Sequence, residues 1–165
     1  MKLIKTTILY LLSVLTMYNI MYSDNIKFQF VEKSYGSYNS NSSIKDGKIL
    51  GTDIDHSVID TAFIIENTEK IKAKLGTEFG VEYLLSSKSN EILPLDIEWI
   101  FPKEMIDPAN NKKIKFIKYR IYLPTNFVNN GNYSLEKEFE IIKGEWVLNI
   151  YYEDKVIYNR KFILD

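Results

Sequence analysis

Leu95-Asp96-Ile97-Glu98-Trp99-Ile100-Phe101 sets apolar side chains at 95, 97, 99 and 101, with acids at 96 and 98 between them. Successive side chains of a strand point to opposite faces, so a period of two marks a strand with one buried face. Pro102 follows and, lacking a backbone donor, is expected to close the strand. Toward the N-terminus the same period recurs from Gly76 to Leu85, where Phe79, Val81 and Tyr83 alternate with Glu78, Gly80 and Glu82. Val58 to Glu66, with Ala62-Phe63-Ile64-Ile65, reads as another strand, and Ile26, Phe28 and Phe30 open a first one expected to stop near Tyr35-Gly36. Between these two, Ser37 to Asp55 is rich in Ser, Asn, Gly and Asp and reads as a mobile loop, with a short strand at Ile49-Leu50.

Toward the C-terminus, Lys103 to Lys113 reads as a loop containing Pro108 and Asn110-Asn111. The following strand carries apolar residues at Ile114 and Phe116, then at Ile117, Tyr119, Ile121 and Leu123. That change of parity calls for a β-bulge near Phe116-Ile117. Pro124 to Gly131 reads as a polar loop, and Tyr133, Leu135, Lys137, Phe139 and Ile141 share one parity of a next strand. After the turn Lys143-Gly144, Trp146, Leu148, Ile150 and Tyr152 alternate with Val147, Asn149 and Tyr151. The turn Glu153-Asp154-Lys155 and the run Val156 to Leu164 complete a hairpin. About eight short strands with little amphipathic helix indicate an all-β sandwich or barrel. Trp99 and Trp146, two large rings suited to the space between facing sheets, favour the antiparallel β-sandwich, of 7–9 strands.

The chain has 165 residues and no cysteine. Disulfides, thiolate catalysis, zinc–thiolate sites and a lipid-bearing cysteine are therefore excluded, and stability must come from the core. Lys2 and Lys5 precede an apolar run from Ile8 to Leu15 that continues, diluted by Thr16 and Asn19, to Tyr22. This reads as a secretory signal helix, residues 1–23, cut after Ser23, ahead of one domain over 24–165. The alternative is an uncleaved membrane anchor formed by residues 8–22, because Met21 is bulkier than the small residue preferred three places before a cut. Without the leader, 19 basic residues face 22 acidic ones, a net charge of −3. Nucleic acid as a partner would need a clustered positive field. Lys112, Lys113, Lys115 and Lys118 form the densest basic run, and on an alternating strand they read as a solvated face that blocks edge pairing.

One stretch also carries a resemblance. Thr68-Glu69-Lys70-Ile71-Lys72-Ala73-Lys74-Leu75-Gly76-Thr77-Glu78-Phe79-Gly80 resembles a pattern of a bacterial family, domain of unknown function 3859. Phe101-Pro102 with Pro108, and the ending from Phe139 through Gly144-Glu145-Trp146 to Phe162-Ile163-Leu164, are similar to it in the same order. Lys72 stands where that pattern has a proline. The resemblance spans Ile26 to Asp165 and implies an immunoglobulin-like fold with no assigned activity or functional residue. Read from chemistry alone, Gly76 and Gly80 suit backbone conformations closed to other residues or a close strand approach.

Four constellations bear on chemistry. His56, the one histidine, lies among Asp53, Asp55 and Asp60, an oxygen-rich set that a hard cation accepts but without the spacing of a calcium loop. No nucleophile-elbow motif surrounds any serine. The pairs Glu78 with Glu82 and Asp96 with Glu98 fall on outward strand parity, where charge needs no catalytic explanation. Tyr122, Tyr151 and Tyr152, among the nine tyrosines beyond the leader, are candidates to stand outside the core and stack on sugar rings. No catalytic, cofactor-binding or metal residue is assigned. The chain is read as an exported, non-catalytic binding or assembly module of the bacterial envelope, periplasmic or extracellular, with a protein or glycan as partner and no cofactor. The alternatives are a carbohydrate-binding domain using the surface tyrosines and a small hydrolase with carboxylates in a groove.

Overall fold

The computed structural model describes residues 27–165, with side chains described outside 39–46 and 57–63. The leader with its cleavage site, Ile26 and the Asp60 side chain lie outside the described residues. Nine strands follow in chain order: β1 (Phe28–Lys48), β2 (Asp55–Glu66), β3 (Lys70–Ile71), β4 (Glu78–Ser87), β5 (Ile92–Asp107), β6 (Lys112–Pro124), β7 (Val128–Ser134), β8 (Gly144–Tyr152) and β9 (Lys155–Leu164). One sheet has the order β2-β1-β4-β7, the other β3-β9-β8-β5-β6. Their pairings are antiparallel except for the short parallel contact of β3 with β9.

The inward parities read from sequence at Phe79, Val81 and Tyr83, at Leu95, Ile97, Trp99 and Phe101, and at Trp146, Leu148 and Ile150 are all buried. These residues meet between the two sheets. Phe79 of β4 packs edge-on against Trp99 and Trp146 of the facing sheet at centroid distances of 5.3 and 5.6 Å. Burying such rings is the main stabilising contribution in a chain without disulfides. The β8–β9 hairpin is present, and its two loop residues, Glu153 and Asp154, have φ of 48° and 63°. Two consecutive left-handed residues match the right-handed twist of the strands they join.

Several sequence expectations are corrected. β1 does not stop at Tyr35-Gly36, and residues 37–48 are strand rather than loop; Ile49-Leu50 belongs to the turn at its end. The N-terminal part of β1 pairs with β4 and its C-terminal part with β2, with several register shifts along the way. Backbone ladders need no apolar side chains, which is why a Ser- and Asn-rich segment runs extended here. Pro102 does not close β5. Between the pairs Ile100↔Phe116 and Met105↔Ile114, residues 101–104 of β5 face only Lys115, so the proline sits in a bulge where its missing donor costs no ladder bond. The parity change read in β6 falls at this irregularity: Ile114 and Ile117 are buried and Phe116 is exposed, with the extra residues on the partner strand. The expected loop from 103 to 113 therefore shrinks to the turn between β5 and β6.

The expected loop from 124 to 131 and strand from 133 to 141 are also shifted. Residues 128–134 are strand, and the chain then curls into a 3-10 turn at Glu138–Glu140. The Glu140 carboxylate accepts the Glu136 and Lys137 amides at 2.7 and 2.8 Å, which ends the extended run. Gly131 is buried in β7 beside Tyr83, Val81 and Leu148.

Candidate functional site

β6 and β7 end their respective sheets, and the sandwich is open between them. A cleft of about 570 Å³ lies there. All of Val128–Ser134 and all of Tyr119–Leu123 line it, so each strand borders the opening along its backbone edge. The walls are therefore strand edges, with Ile97 and Ile117 of the core reaching the floor. The turn into β7 is held by two side chains. Thr125 Oγ1 accepts the Glu91 amide at 2.8 Å and donates to the Ser89 carbonyl at 2.9 Å. Asn129 Nδ2 donates to the Pro124 and Phe127 carbonyls at 3.2 and 3.0 Å.

The β1–β2 hairpin closes one end of the cleft with Ile49, Ile54, Asp55 and His56. Its tip is fastened to the other sheet. The Asp53 amide donates to Asp107 at 2.9 Å, and Lys112 Nζ donates to the Gly51 carbonyl at 2.7 Å. Asp107 is fully buried and also accepts the Ala109 amide and the Asn110 side chain, so one carboxylate ties the tip to the β5–β6 turn.

Of the constellation read around His56, the structure places Asp53 and Asp55 on lysines. Lys137 Nζ lies 2.8 Å from Asp53 and 3.8 Å from Asp55, and Lys48 also pairs with both. His56 turns instead onto the Tyr119 ring, edge-on at 5.1 Å. Among the described residues no group of three or more His, Asp or Glu is placed to hold a metal ion. Hydrogen bonds from Lys137 and Lys48 hold the Asp53 carboxyl down at about 2, against an ordinary 3.8. A lowered folded value means that the latch is intact above the ordinary carboxylate range and weakens as the pH falls toward 2. We therefore expect the protection of the Gly51–Ile54 amides, taken relative to their intrinsic exchange rate at each pH, to fall as the pH drops through that acid window in the native chain. In Asp53→Asn that protection should be lower at neutral pH and change less across the window; a native-like acid profile in the variant would show that the Asp53 carboxylate does not help to hold the tip.

At the cleft base, burial raises the pKa of Glu140, the two backbone amides opposing the shift, and burial carries Tyr119 up to about 12. Tyr133 reaches Glu140 at 3.4 Å. The outward carboxylates are engaged: Asp96 binds Arg120 through two bonds of 2.7 and 3.0 Å, and Glu98 accepts Asn149 and the Tyr151 hydroxyl at 2.8 and 2.6 Å. Glu82 accepts the Ser34 hydroxyl at 2.9 Å, and Glu78, four residues earlier on β4, is half-buried. The three surface tyrosines have different neighbours. Lys118 covers one face of Tyr151 at 3.9 Å, Tyr152 stands edge-on to Phe28 at 5.0 Å, and Tyr122 is 68% exposed beside the cleft.

Sequence reading missed the first half of the β7 wall, having taken Asn129 and Asn130 for part of a loop. The available signal was the absence of any charge or proline from Val128 to Ser134.

The comparisons agree with this architecture. An immunoglobulin-like protein of Pseudomonas aeruginosa superposes with a TM-score of 0.61 at 21% identity, covering 84% of this chain and 98% of its own. A beta-D-glucoside glucohydrolase of Trichoderma reesei aligns over 84% of this chain and 19% of its own at 6% identity, with a TM-score of 0.35 that carries no argument. No curated protein matches the sequence. The first likeness establishes an immunoglobulin-like fold and no activity. The family model described as Domain of unknown function (DUF3859) matches residues 30–164, and with that match the chain belongs to this family.

Proposed function

We propose that the chain is exported and works as a non-catalytic binding or assembly module, one immunoglobulin-like β-sandwich domain over residues 24–165 whose contact surface is the open edge between β6 and β7. The observation that carries this reading is the cleft itself, flanked by two strand edges and floored by core isoleucines. Exposed strand edges and concave apolar surfaces are where such folds receive partners. Export is supported by the basic start and apolar run of residues 2–22. A non-catalytic role is supported by the ion pairs and hydrogen bonds that already occupy Asp53, Asp96 and Glu98. The test is photo-crosslinking in the native envelope from a reactive residue placed at Tyr122, with the same residue placed at Val156, outside the cleft lining, as control. A discrete adduct with one envelope protein or glycan from position 122 alone is expected. Equal labelling from both positions, or recovery of the chain from the cytoplasm alone, would overturn the reading.

A further inference from the structure

We propose that the open edge accepts an extended segment of a partner protein as an added strand on β7, alternately apolar and led by a cationic residue at the Ser134 end. This rests on the binding reading above and specifies its mode. In an antiparallel ladder each strand directs alternate amides and carbonyls to its two sides, and β7 has only β4 beside it among the described residues. Its other side borders the cleft, which all seven of its residues line.

The two walls are not equivalent. In the β6 stretch that lines the cleft Arg120 is the one charged residue and is held by Asp96, while Lys112, Lys113, Lys115 and Lys118 continue the strand as exposed charges, a pattern that keeps a foreign strand off an edge. β7 carries neither charge nor proline from Val128 to Ser134. At about 3.4 Å per residue its edge offers roughly 23 Å for pairing. The floor sets the side chains. Ile97, Ile117, Ile121 and Leu123 face the cleft, and every second residue of an added strand would point down onto them.

Charge sets the end. Where the cleft meets the β1–β2 hairpin, Asp55, Glu136 and Glu140 line it, with Asp53 beside them, and the ammonium groups of Lys48 and Lys137 pair with Asp53 and Asp55. That acid excess favours a cation there. β7 runs from Val128 toward this end, and the antiparallel ladder is the more stable one, so the partner's N-terminal residue meets Glu136.

The probes are three fluorescent octapeptides offered to the full mature chain. One reads Lys-Thr-Ile-Thr-Val-Thr-Ile-Thr, the second replaces its Lys by Glu, and the third methylates alternate backbone nitrogens of the first. The lysine peptide is expected to bind about tenfold more tightly than the glutamate peptide. It should slow amide exchange within Val128–Ser134, and the methylated peptide should lose binding because its ladder donors are gone. Glu136→Lys should abolish or reverse the charge preference, and Ile121→Asp should weaken the lysine peptide about tenfold or more. If a variant fails to fold, the exchange map of the unsubstituted chain still decides. No binding by about 1 mM, protection outside β7, or equal binding of the methylated peptide overturns the added strand. A position-122 crosslink that persists in that case leaves the binding reading standing, so the two failures are separable.

Discussion

Gly80→Ala is expected to cost about 3 kcal/mol or more and to detach β7 from β4, since overpacking against a backbone that cannot yield is among the severe single-residue changes. A methyl at Gly80 would lie 2.2 Å from the Gly131 carbonyl oxygen and 2.5 Å from the Asn132 Cα. Both are backbone atoms of the strand that forms one cleft wall. Neither can move aside as a side chain would. The only relief is displacement of β7, which breaks the ladder and opens the core beneath it. Gly131→Ala supplies the control from the same seam. Its methyl would meet Tyr83 and Val81 at 3.5 Å and Leu148 at 3.8 Å, ordinary contact distances. It is expected to stay within about 1 kcal/mol of the parent. Urea unfolding of the two variants measures the difference, and equal midpoints would mean that β7 is not seated against β4 as described. If Gly80→Ala folds at low temperature, fast amide exchange across Val128–Ser134 should accompany its lower midpoint.

Trp146→Ala is the second large loss, at about 3–5 kcal/mol for a fully buried indole. The ring sits 4.7 Å from Phe101 and 5.0 Å from Tyr133, and its Nε1 donates to the Ile142 carbonyl at 2.8 Å. Removing it opens a cavity at the centre of the sandwich and strands a carbonyl. Trp99 is equally buried, but its Nε1 has no hydrogen-bond partner. The phenylalanine variants separate these roles. Trp146→Phe loses volume and a hydrogen bond, whereas Trp99→Phe loses volume and removes an unpaired donor. A buried polar group left unpaired costs about 1–3 kcal/mol, so Trp146→Phe should be the less stable of the two by an amount of that order. Thermal unfolding of both would show it as a lower Tm for Trp146→Phe. The reverse order would contradict the hydrogen bond to Ile142.

Legibility followed burial. β4, the first half of β5 and β8 were readable because each presents an alternating face to the core, and alternation is written in consecutive residues; β9 was readable from the turn that precedes its apolar run. Trp99 and Trp146 were placed in the core for the same reason. The parity change in β6 also exposed the irregularity near Phe116, although the additional residues lie opposite it, at 101–104 of β5. A parity change reports that two strands lose register without saying which strand carries the excess. The candidate site was much less legible. Tyr119, Ile121 and Leu123 were recognised as one face of a strand, but the first half of the wall opposite them, Val128 to Gly131, was read as a polar loop and Tyr133 as the start of a different strand. Asn129 is buried there, satisfied by carbonyls of the preceding turn, and nothing in an Asn-Asn-Gly-Asn run announces such partners. His56 drew attention as a metal-site candidate through its neighbours in sequence, while its contact with Tyr119 joins residues far apart in the chain.

By itself the sequence determined an all-β chain, the inward faces of its central strands, the terminal hairpin and the freedom of its stability from disulfides. These follow from side-chain polarity at period two, a local property that survives without knowledge of partners. Tertiary structure alone decided that β1 continues to Lys48, that residues 128–134 pair with β4, and that β6 and β7 end their sheets with a cleft between them. A polar strand is held by hydrogen bonds to its neighbour, and an open edge exists only where no neighbour arrives. Both depend on which distant segments meet.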